Sequence, residues 1–322
     1  MNMKISSFLQ RFRTALCAWL SGFATLFLFV SSLTAQEEVA FLSTNSTSSD
    51  YLTAEETTTL SLPFELVSNL MWFEAEIDGQ SGNFILDTGV PTLVLHQEVS
   101  PINSQTMGYG ASGQETPLSE GAISSFQLAG VELGEQRSLG LDLSGLSHRS
   151  ERNLMGIMGH EQLRDYELLI DYEAGTFYLL PARKNDLHEQ TSPAFSLPFS
   201  YLEHLPIVRL KQADQSLYFA IDTGAGSNLI DPEVFTEGVR AAPTGSHTIV
   251  RGLDGGQLEQ ANYELSGLHH RQQQFPDQDF VSVPLRQLAQ EGQRIDGILG
   301  QPFLQQYRIS IDFKRQKIHF WD

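Results

Sequence analysis

Hydrophobic positions along the chain come mostly in short runs of the length typical of β-strands. Two such runs, Phe84-Ile85-Leu86 and Tyr218-Phe219-Ala220-Ile221, each lead into the tripeptide Asp-Thr-Gly. Two others, at 168–172 and 308–313, are followed by a short polar turn and then by a second apolar run. This order is the pattern of a β-hairpin. The sequence therefore predicts an all-β protein.

A helical pattern is present in the segments that follow Gly159 and Gly300. In the second of these, Pro302 would lie in the first helical turn, where its missing N–H costs nothing. We expect these two segments to be the only helices, one in each half of the chain.

The chain repeats itself. Leu62-Pro63-Phe64 recurs as Leu197-Pro198-Phe199, and Asp87-Thr88-Gly89 recurs as Asp222-Thr223-Gly224, both at an offset of 135 residues. Further along, Gly156-Ile157-Met158-Gly159 matches Gly297-Ile298-Leu299-Gly300 at an offset of 141 residues. A repeat of this length fixes the architecture of a chain.

We therefore expect two homologous lobes, at 61–181 and 196–322, joined by a polar linker at 182–195. Two copies in one chain can pack about a pseudo-twofold axis, as the subunits of a homodimer do. One copy of each repeated motif would then lie on either side of a shared cleft, and the protein would be a monomer with an internal pseudo-dimer.

Residues 1–35 have the layout of a secretory signal peptide, because Lys4, Arg11 and Arg13 precede an apolar run that ends near a possible cleavage point at Ala35. An uncleaved membrane anchor is the alternative for this run. Residues 36–60 are rich in Ser and Thr and predict a flexible leader, with a propeptide that covers an active site as the alternative. We expect the mature chain to be periplasmic or secreted.

Charge and cysteine content limit the partners that this protein can bind and the side chains that can carry its chemistry. The chain has 39 acidic and 20 basic residues and a formal charge of -19. Such a charge repels nucleic-acid phosphates and anionic membrane surfaces. The single cysteine, Cys17, lies in the predicted signal peptide, so neither a disulfide framework nor a cysteine-based metal site is expected. We expect no nucleic-acid partner, no cofactor and no metal, which leaves carboxylates, hydroxyls, histidines and the backbone.

The two Asp-Thr-Gly turns indicate shared-proton chemistry. If the repeat brings Asp87 and Asp222 within hydrogen-bonding distance, both cannot ionise, and the pair holds one proton over a wide pH range. One carboxylate can then act as a base and the other as an acid on a water that attacks a peptide carbonyl. Gly89 and Gly224 would allow the close backbone approach that brings amide groups to the carboxylates.

With these motifs the sequence resembles the retropepsin-like aspartic proteases in their single-chain tandem form, over nearly the whole mature chain. The resemblance implies two homologous pepsin/retropepsin-like β-barrel lobes and an aspartic endopeptidase that acts on an extended polypeptide. Asp87 and Asp222 would be the catalytic residues. It also implies that Thr88 and Thr223 bond across the axis, and that the tripeptides ending at Gly159 and Gly300 brace the catalytic loops.

Glycine-rich stretches follow both Asp-Thr-Gly turns, at 108–113 and 252–256. Any β protein favours glycine in surface hairpin turns. The resemblance implies instead a pair of mobile flaps that close over the substrate and exclude water. The predicted flap and substrate-binding residues are Tyr109, Gly110, Gly252 and Leu253, and Trp72 and Phe73 are further candidates for an apolar substrate surface.

The sequence departs from pepsin-like enzymes at Val90 and Ala225. Those enzymes usually have Ser or Thr after Asp-Thr-Gly, and the hydroxyl bonds the outer oxygen of the catalytic carboxyl. Without that donor the ionised form is less stabilised, so we expect a dyad that titrates at a higher pH than in a digestive enzyme.

Two other functions remain open at this stage. One is a catalytically silent relative that only binds peptides. The other is a metal-dependent hydrolase that uses some of the nine histidines, but the adjacent His269 and His270 are expected to lie in a solvated loop. Asp171 and Asp312 also recur, and we expect them to cap hairpin turns rather than to take part in catalysis.

Overall fold

A computed structural model describes residues 29–32, 58–102, 104–109, 115–182, 185–251, 257–285 and 294–322 of the protein. Strands up to residue 182 are β1 (Phe29–Ser32), β2 (Leu60–Pro63), β3 (Glu65–Val67), β4 (Leu70–Ile77), β5 (Gln80–Leu86), β6 (Leu93–His96), β7 (Ser104–Tyr109), β8 (Glu115–Ile123), β9 (Phe126–Leu128), β10 (Val131–Glu132), β11 (Gln136–Leu141), β12 (Leu154–Met158), β13 (Tyr166–Asp171) and β14 (Thr176–Pro181). Later strands are β15 (Phe195–Leu202), β16 (Leu205–Gln212), β17 (Gln215–Ile221), β18 (Leu229–Ile230), β19 (Ala242–Arg251), β20 (Gln257–Leu265), β21 (Leu268–His270), β22 (Gln273–Gln274), β23 (Gln278–Ser282), β24 (Gly297–Leu299), β25 (Arg308–Asp312) and β26 (Lys317–Trp321).

The described residues form a mostly β protein, as the apolar runs predict. The helices are α1 (Ser144–Ser150), α2 (His160–Leu163), α3 (Asp186–Gln190), α4 (Glu233–Thr236) and α5 (Gln301–Leu304). Helices α2 and α5 confirm the prediction after Gly159 and Gly300. The expectation of one helix per lobe is wrong, because α1, α3 and α4 are also present. Each of these three buries one side chain or none, so none leaves a helical period in the sequence.

The strands lie in two sheets that repeat one strand order. The first sheet runs β10-β9-β4-β5-β12-β6-β11-β8-β7. Part of the second sheet runs β22-β21-β16-β17-β24-β18-β23-β20-β19, and each strand takes the place of its counterpart in the first. The parallel pairs also correspond, since β5 pairs with β12 as β17 pairs with β24. The repeat seen in the sequence is therefore a repeat of topology.

Six antiparallel strands join the two halves of the chain, in the order β15-β26-β25-β13-β14-β2. We call this part of the second sheet the joining sheet. At its centre β13 pairs with β25, and Leu169 lies opposite Ser310. These two residues are equivalent at the 141-residue offset, so the pairing is symmetric about them. Each half contributes three strands to the joining sheet.

Neither sheet closes into a barrel within the described residues. Strand β1 pairs with β19 at one edge of the second sheet. The rest of the predicted signal peptide and the predicted leader up to residue 57 lie outside the described residues. Within the described part, no helix is long and apolar enough to cross a membrane.

The hydrophobic core extends from the joining sheet into both halves of the chain. Phe84 in β5 and its counterpart Phe219 in β17 are both completely buried in the largest cluster of core side chains. Leu86 and Ile221 end the same strands and belong to the same cluster. Packing on these side chains fixes the strand ends, and with them the positions of the aspartates that follow.

Candidate active site

Asp87 and Asp222 each follow the last residue of a buried strand. The amide of Asp87 donates to the carbonyl of Met158 at 3.0 Å, and the amide of Asp222 donates to the carbonyl of Leu299 at 3.2 Å. These bonds extend the parallel pairing of β5 with β12 and of β17 with β24 by one residue. The segments before Gly159 and Gly300 therefore support the aspartates from neighbouring strands, as the resemblance implies.

The two aspartates are completely buried and close together. The amide of Gly89 donates to Asp87 Oδ1 at 2.7 Å, and the amide of Gly224 donates to Asp222 Oδ1 at 2.8 Å. The loops are packed so tightly that a Cβ atom on Gly224 would lie 2.1 Å from Asp87 Cγ. Glycine at this position is therefore required by the approach of one loop to the carboxyl group of the other.

Burial raises the pKa of both carboxyl groups. The charge of Asp222 and a hydrogen bond to it raise the pKa of Asp87 further. For Asp222, burial is opposed by the hydrogen bond with Asp87 and by backbone amides, which lower its pKa. Two buried carboxyl groups that interact in this way hold one proton between them. The proton belongs to the pair as a unit.

The second carboxyl oxygen of each aspartate, Oδ2, accepts no hydrogen bond from an N–H or O–H group of the described residues. Asp87 Oδ2 and Asp222 Oδ2 are both buried, and neither has a hydrogen-bond partner in the described part of the chain. Val90 and Ala225, where the resemblance places a hydroxyl residue, are completely buried and offer no side-chain donor. No N–H or O–H group of the described residues occupies either Oδ2 atom.

Thr88 and Thr223 connect the two loops. The amide of Thr88 donates to Thr223 Oγ1 at 2.9 Å, and the amide of Thr223 donates to Thr88 Oγ1 at 3.1 Å. Each hydroxyl then donates to a carbonyl of the other half, at Ile221 or Leu86. This arrangement fixes the separation of the two aspartates with four buried hydrogen bonds.

Gly159 and Gly300 lie directly against the two Asp-Thr-Gly loops. A Cβ atom on Gly159 would be 2.6 Å from the carbonyl of Val90, and one on Gly300 would be 2.3 Å from the carbonyl of Ala225. The first residues of α2 and α5 bond the same two carbonyls, through the amides of His160 at 2.9 Å and Gln301 at 2.7 Å. Each loop is thus held at equivalent points by its own helix.

Sequence analysis missed two further residues at the site, Asn69 and His204, which are equivalent at the 135-residue offset. Asn69 Nδ2 donates to the carbonyl of Gly226 at 3.0 Å, and His204 Nε2 donates to the carbonyl of Gly89 at 2.9 Å. Each side chain crosses from its own half to the Asp-Thr-Gly loop of the other. Asn69 directly precedes Leu70, and His204 directly precedes Leu205, a leucine that recurs at the 135-residue offset. This shared position was the sequence signal that could have identified both residues.

The predicted flaps fall partly outside the described residues. Tyr109 ends β7, which pairs with β8 in a hairpin. In the other half, β19 and β20 form the corresponding hairpin around residues 252–256. Gly110, Gly252 and Leu253 lie outside the described residues, so their role stays a prediction.

Two expectations about other residues are wrong. Trp72 and Phe73 are buried in the core and form no substrate surface. His269 and His270 lie in β21 rather than in a solvated loop, and His270 Nδ1 donates to the carbonyl of Arg209 at 3.1 Å. The short strand carries no apolar alternation that sequence analysis could detect.

The structural role expected for Asp171 and Asp312 is confirmed. Asp171 Oδ1 accepts from the amide of Ala174 at 3.0 Å, and Asp312 Oδ1 accepts from the amide of Arg315 at 2.8 Å. Both carboxylates therefore cap the turns of their hairpins.

Comparison with models of known protein families gives no match, and a search of curated proteins finds no related sequence.

Proposed function

We propose that this protein is an aspartic endopeptidase that hydrolyses peptide bonds with a water held between Asp87 and Asp222. The observation that carries the proposal is the pair of buried carboxyl groups, which follow equivalent strands and whose pKa values are both raised. No cofactor or covalent intermediate is needed for this chemistry.

The two carboxyl groups take different roles in the proposed reaction. The ionised member of the pair accepts a proton from the water as the water oxygen forms a bond to the peptide carbonyl carbon. The protonated member donates its proton to the carbonyl oxygen, where negative charge develops. The proton taken from the water then passes to the amide nitrogen as the C–N bond breaks, and the member that acted as acid recovers its proton as the new carboxyl group forms. In this proposal Asp87 Oδ2 and Asp222 Oδ2, which accept no hydrogen bond from an N–H or O–H group of the described residues, contact the water and the substrate carbonyl.

In the same proposal the two halves of the chain are homologous pepsin- or retropepsin-like lobes, related by a pseudo-twofold axis within a monomer. Three observations support this interpretation. The sheets share one strand order, Leu169 lies opposite its own counterpart Ser310, and Thr88 and Thr223 exchange reciprocal bonds.

Substrate access requires movement, because both aspartates are completely buried. We assign that movement to the β7–β8 and β19–β20 hairpins, whose tips contain the predicted flap residues Tyr109, Gly110, Gly252 and Leu253. An extended polypeptide would bind beneath the flaps. The signal-peptide pattern at 1–35 supports a location outside the cytoplasm as part of this proposal.

A catalytically silent, peptide-binding relative of the same fold is the alternative. The observation that favours it is the complete burial of both carboxyl groups, together with the apolar Val90 in the first loop. This alternative predicts peptide binding without cleavage.

A peptide library separates the two functions. The mature chain is incubated with the library in water enriched in ¹⁸O, and the products are identified by mass spectrometry. We expect cleavage at a limited set of sites, with one ¹⁸O in each new carboxyl group, and no cleavage by a variant with both Asp87→Asn and Asp222→Asn. Binding without cleavage by the parent would support the silent relative, and cleavage by the double variant would exclude the dyad mechanism.

A further inference from the structure

A second cluster of polar side chains, formed by Glu167, His188 and His319, lies on the joining sheet. One ligand atom from each of the three residues lies within 4.8 Å of the other two. Glu167 is in β13, His188 is in α3 and His319 is in β26. The mechanism proposed for Asp87 and Asp222 uses none of these side chains.

The Glu167 carboxylate is completely buried and needs a compensating charge. The structure pairs it with His188, whose Nε2 lies 2.9 Å from both carboxylate oxygens. A divalent cation between the two side chains would compensate the buried carboxylate directly.

His319 has the environment of a metal ligand. Its Nδ1 lies 2.7 Å from Ser196 Oγ, while its Nε2 is buried and has no hydrogen-bond partner in the described part of the chain. With the proton on Nδ1 donated to Ser196, Nε2 presents a free lone pair. Metal-binding histidines are commonly oriented by such a bond from the other ring nitrogen.

Hydrogen bonds also hold the Glu167 carboxylate in place. Asn185 Nδ2 donates to Oε2 at 2.9 Å, and Ser310 Oγ donates to Oε1 at 2.5 Å. Ser310 Oγ in turn accepts from Trp321 Nε1 at 3.0 Å. A carboxylate has room for about four such contacts, and two of the present four are those with His188 Nε2, which a cation between the two side chains would replace. Donors that orient a ligating carboxylate are typical of protein metal sites.

The cluster is an exception to the repeat. The counterparts of Glu167 and His319 at the 141-residue offset are Arg308 and Tyr178, which cannot form a second copy of the cluster. Its three members come from the first repeat copy, the linker and the second copy. An ion bound by all three would tie these parts together.

We propose that Glu167, His188 and His319 bind one Zn²⁺ ion as a structural site, with a water as the fourth ligand. Two imidazoles and a carboxylate are a ligand set that suits zinc. Tetrahedral coordination would place the ligand atoms about 3.3 Å from one another, given Zn–N and Zn–O bonds of about 2.0–2.1 Å, so His188 Nε2 would move away from the Glu167 oxygens, from which it now lies 2.9 Å. His188 can make this adjustment, because its side chain is 32% exposed and it lies on a helix of five residues.

The consequence for the fold is a metal crosslink between the linker helix α3 and the joining sheet. The only cysteine is Cys17, in the predicted signal peptide, so no disulfide would join the two halves of the mature chain. The site does not depend on the proposed peptidase activity, and its loss should affect stability before it affects the chemistry at Asp87 and Asp222.

The test uses the purified protein after removal of metals with a chelator. Titration calorimetry with Zn²⁺ should give one ion per chain with a Kd below about 1 μM. Co²⁺ in its place should give the intense visible absorption of a four-coordinate site. The melting temperature should rise with Zn²⁺ and not with Mg²⁺, which prefers oxygen ligands in octahedral geometry.

Variants assign the ligands. His188→Gln removes a ligand from an exposed helix and leaves the core intact. Loss of an outer-shell partner typically costs about 10–100-fold in metal affinity, so loss of a direct ligand should weaken Zn²⁺ binding by about 100-fold or more. His319→Gln should do the same, and circular dichroism checks that it folds. His270→Gln, at a histidine bonded to a backbone carbonyl in β21, is the matched control and should bind as the parent does. Absence of binding at 100-fold higher Zn²⁺ than the expected Kd, or equal affinity in His188→Gln and the parent, would overturn the proposal.

Discussion

Thr88 and Thr223 accept hydrogen bonds from each other's backbone amides, at 2.9 Å and 3.1 Å, and neither side chain is exposed to solvent. Because each hydroxyl also donates to a strand carbonyl of the other half, each serves as acceptor and donor at once. The two halves of the chain therefore meet at the catalytic loops through paired bonds that depend on both threonines.

Replacing Thr88 with Val should destabilise the protein strongly. The change keeps the side-chain shape but leaves the amide of Thr223 and the carbonyl of Ile221 without partners. Two unsatisfied buried groups should lower the free energy of unfolding by about 2–4 kcal/mol. Urea unfolding measures the loss. Thr88→Ser should retain most of the stability, and Thr236→Val, at an exposed helix end, is the control. A loss no larger than that of the control would contradict the role assigned to Thr88.

Removing His204 should slow catalysis without unfolding the protein. His204→Ala deletes the donor to the carbonyl of Gly89, the residue whose amide bonds Asp87 Oδ1. A small displacement of a catalytic group can cost up to about 100-fold in rate, and we expect kcat to fall by about 10-fold or more with little change in KM. His204→Asn, the residue type found at the counterpart position 69, should restore most of kcat. Equal rates for His204→Ala and the parent would exclude a positioning role.

Two histidines should contribute stability that is lost as the pH drops below about 6.5. Burial lowers the pKa of half-buried His160 to about 3 and that of fully buried His204 to about 4. At these two side chains the unfolded chain binds more protons than the native state between about pH 6.5 and pH 4, so their contribution to stability is complete above this range and is lost on acidification.

The contribution of His204 can be isolated by substitution. His204→Asn removes its titration, and the difference in unfolding free energy between pH 7 and pH 4 should shrink by about 3 kcal/mol relative to the parent. The raised pKa values of Asp87 and Asp222 act in the opposite direction, since they favour the native state at acid pH, but they are common to both proteins. An unchanged difference between the two pH values would show that His204 is already charged in the native state.

Restoring a hydroxyl beside the dyad should move the pH profile toward acid. In Ala225→Ser the new hydroxyl can donate to Asp222 Oδ2, which lacks a partner. This bond stabilises the ionised form, so the acid limb of kcat/KM should move down by about 0.5–1 pH unit. Ala174→Ser, in an exposed turn, should leave the limb in place. The parent should not peak near pH 2, and a peak there would contradict the effect assigned to Val90 and Ala225.

Repetition made much of the site predictable from the sequence. Asp87 and Asp222, their threonines and the bracing glycines recur at fixed offsets, and the same recurrence appears in the strand order. Asn69 and His204 occupy equivalent positions but differ in residue type, so a search for identical residues does not find them. What they share is a side-chain N–H donor, and that similarity becomes visible only when both are seen to bond loop carbonyls.

Features outside the repeat were not predictable. Glu167, His188 and His319 come from three separate parts of the chain with no spacing that brings them together, and only the pairing of β13, β25 and β26 does so. Helix α3 leaves no apolar period, because none of its residues is buried. The motifs that both halves share were therefore predictable from the sequence. The cluster of Glu167, His188 and His319, which has no second copy, was not.

Asp87 and Asp222 are proposed to act together on one water. The most direct test compares the rate of hydrolysis of a cleavable peptide by the parent, by Asp87→Asn and by Asp222→Asn. The control is Asp279→Asn, at an exposed position of β23. Loss of acid–base catalysis typically costs about 10²–10⁴-fold. We predict that each dyad variant, folded as the parent is, loses at least about 1,000-fold in kcat/KM, while Asp279→Asn retains full activity. Hydrolysis that persists at the parent rate in either dyad variant would contradict the claim.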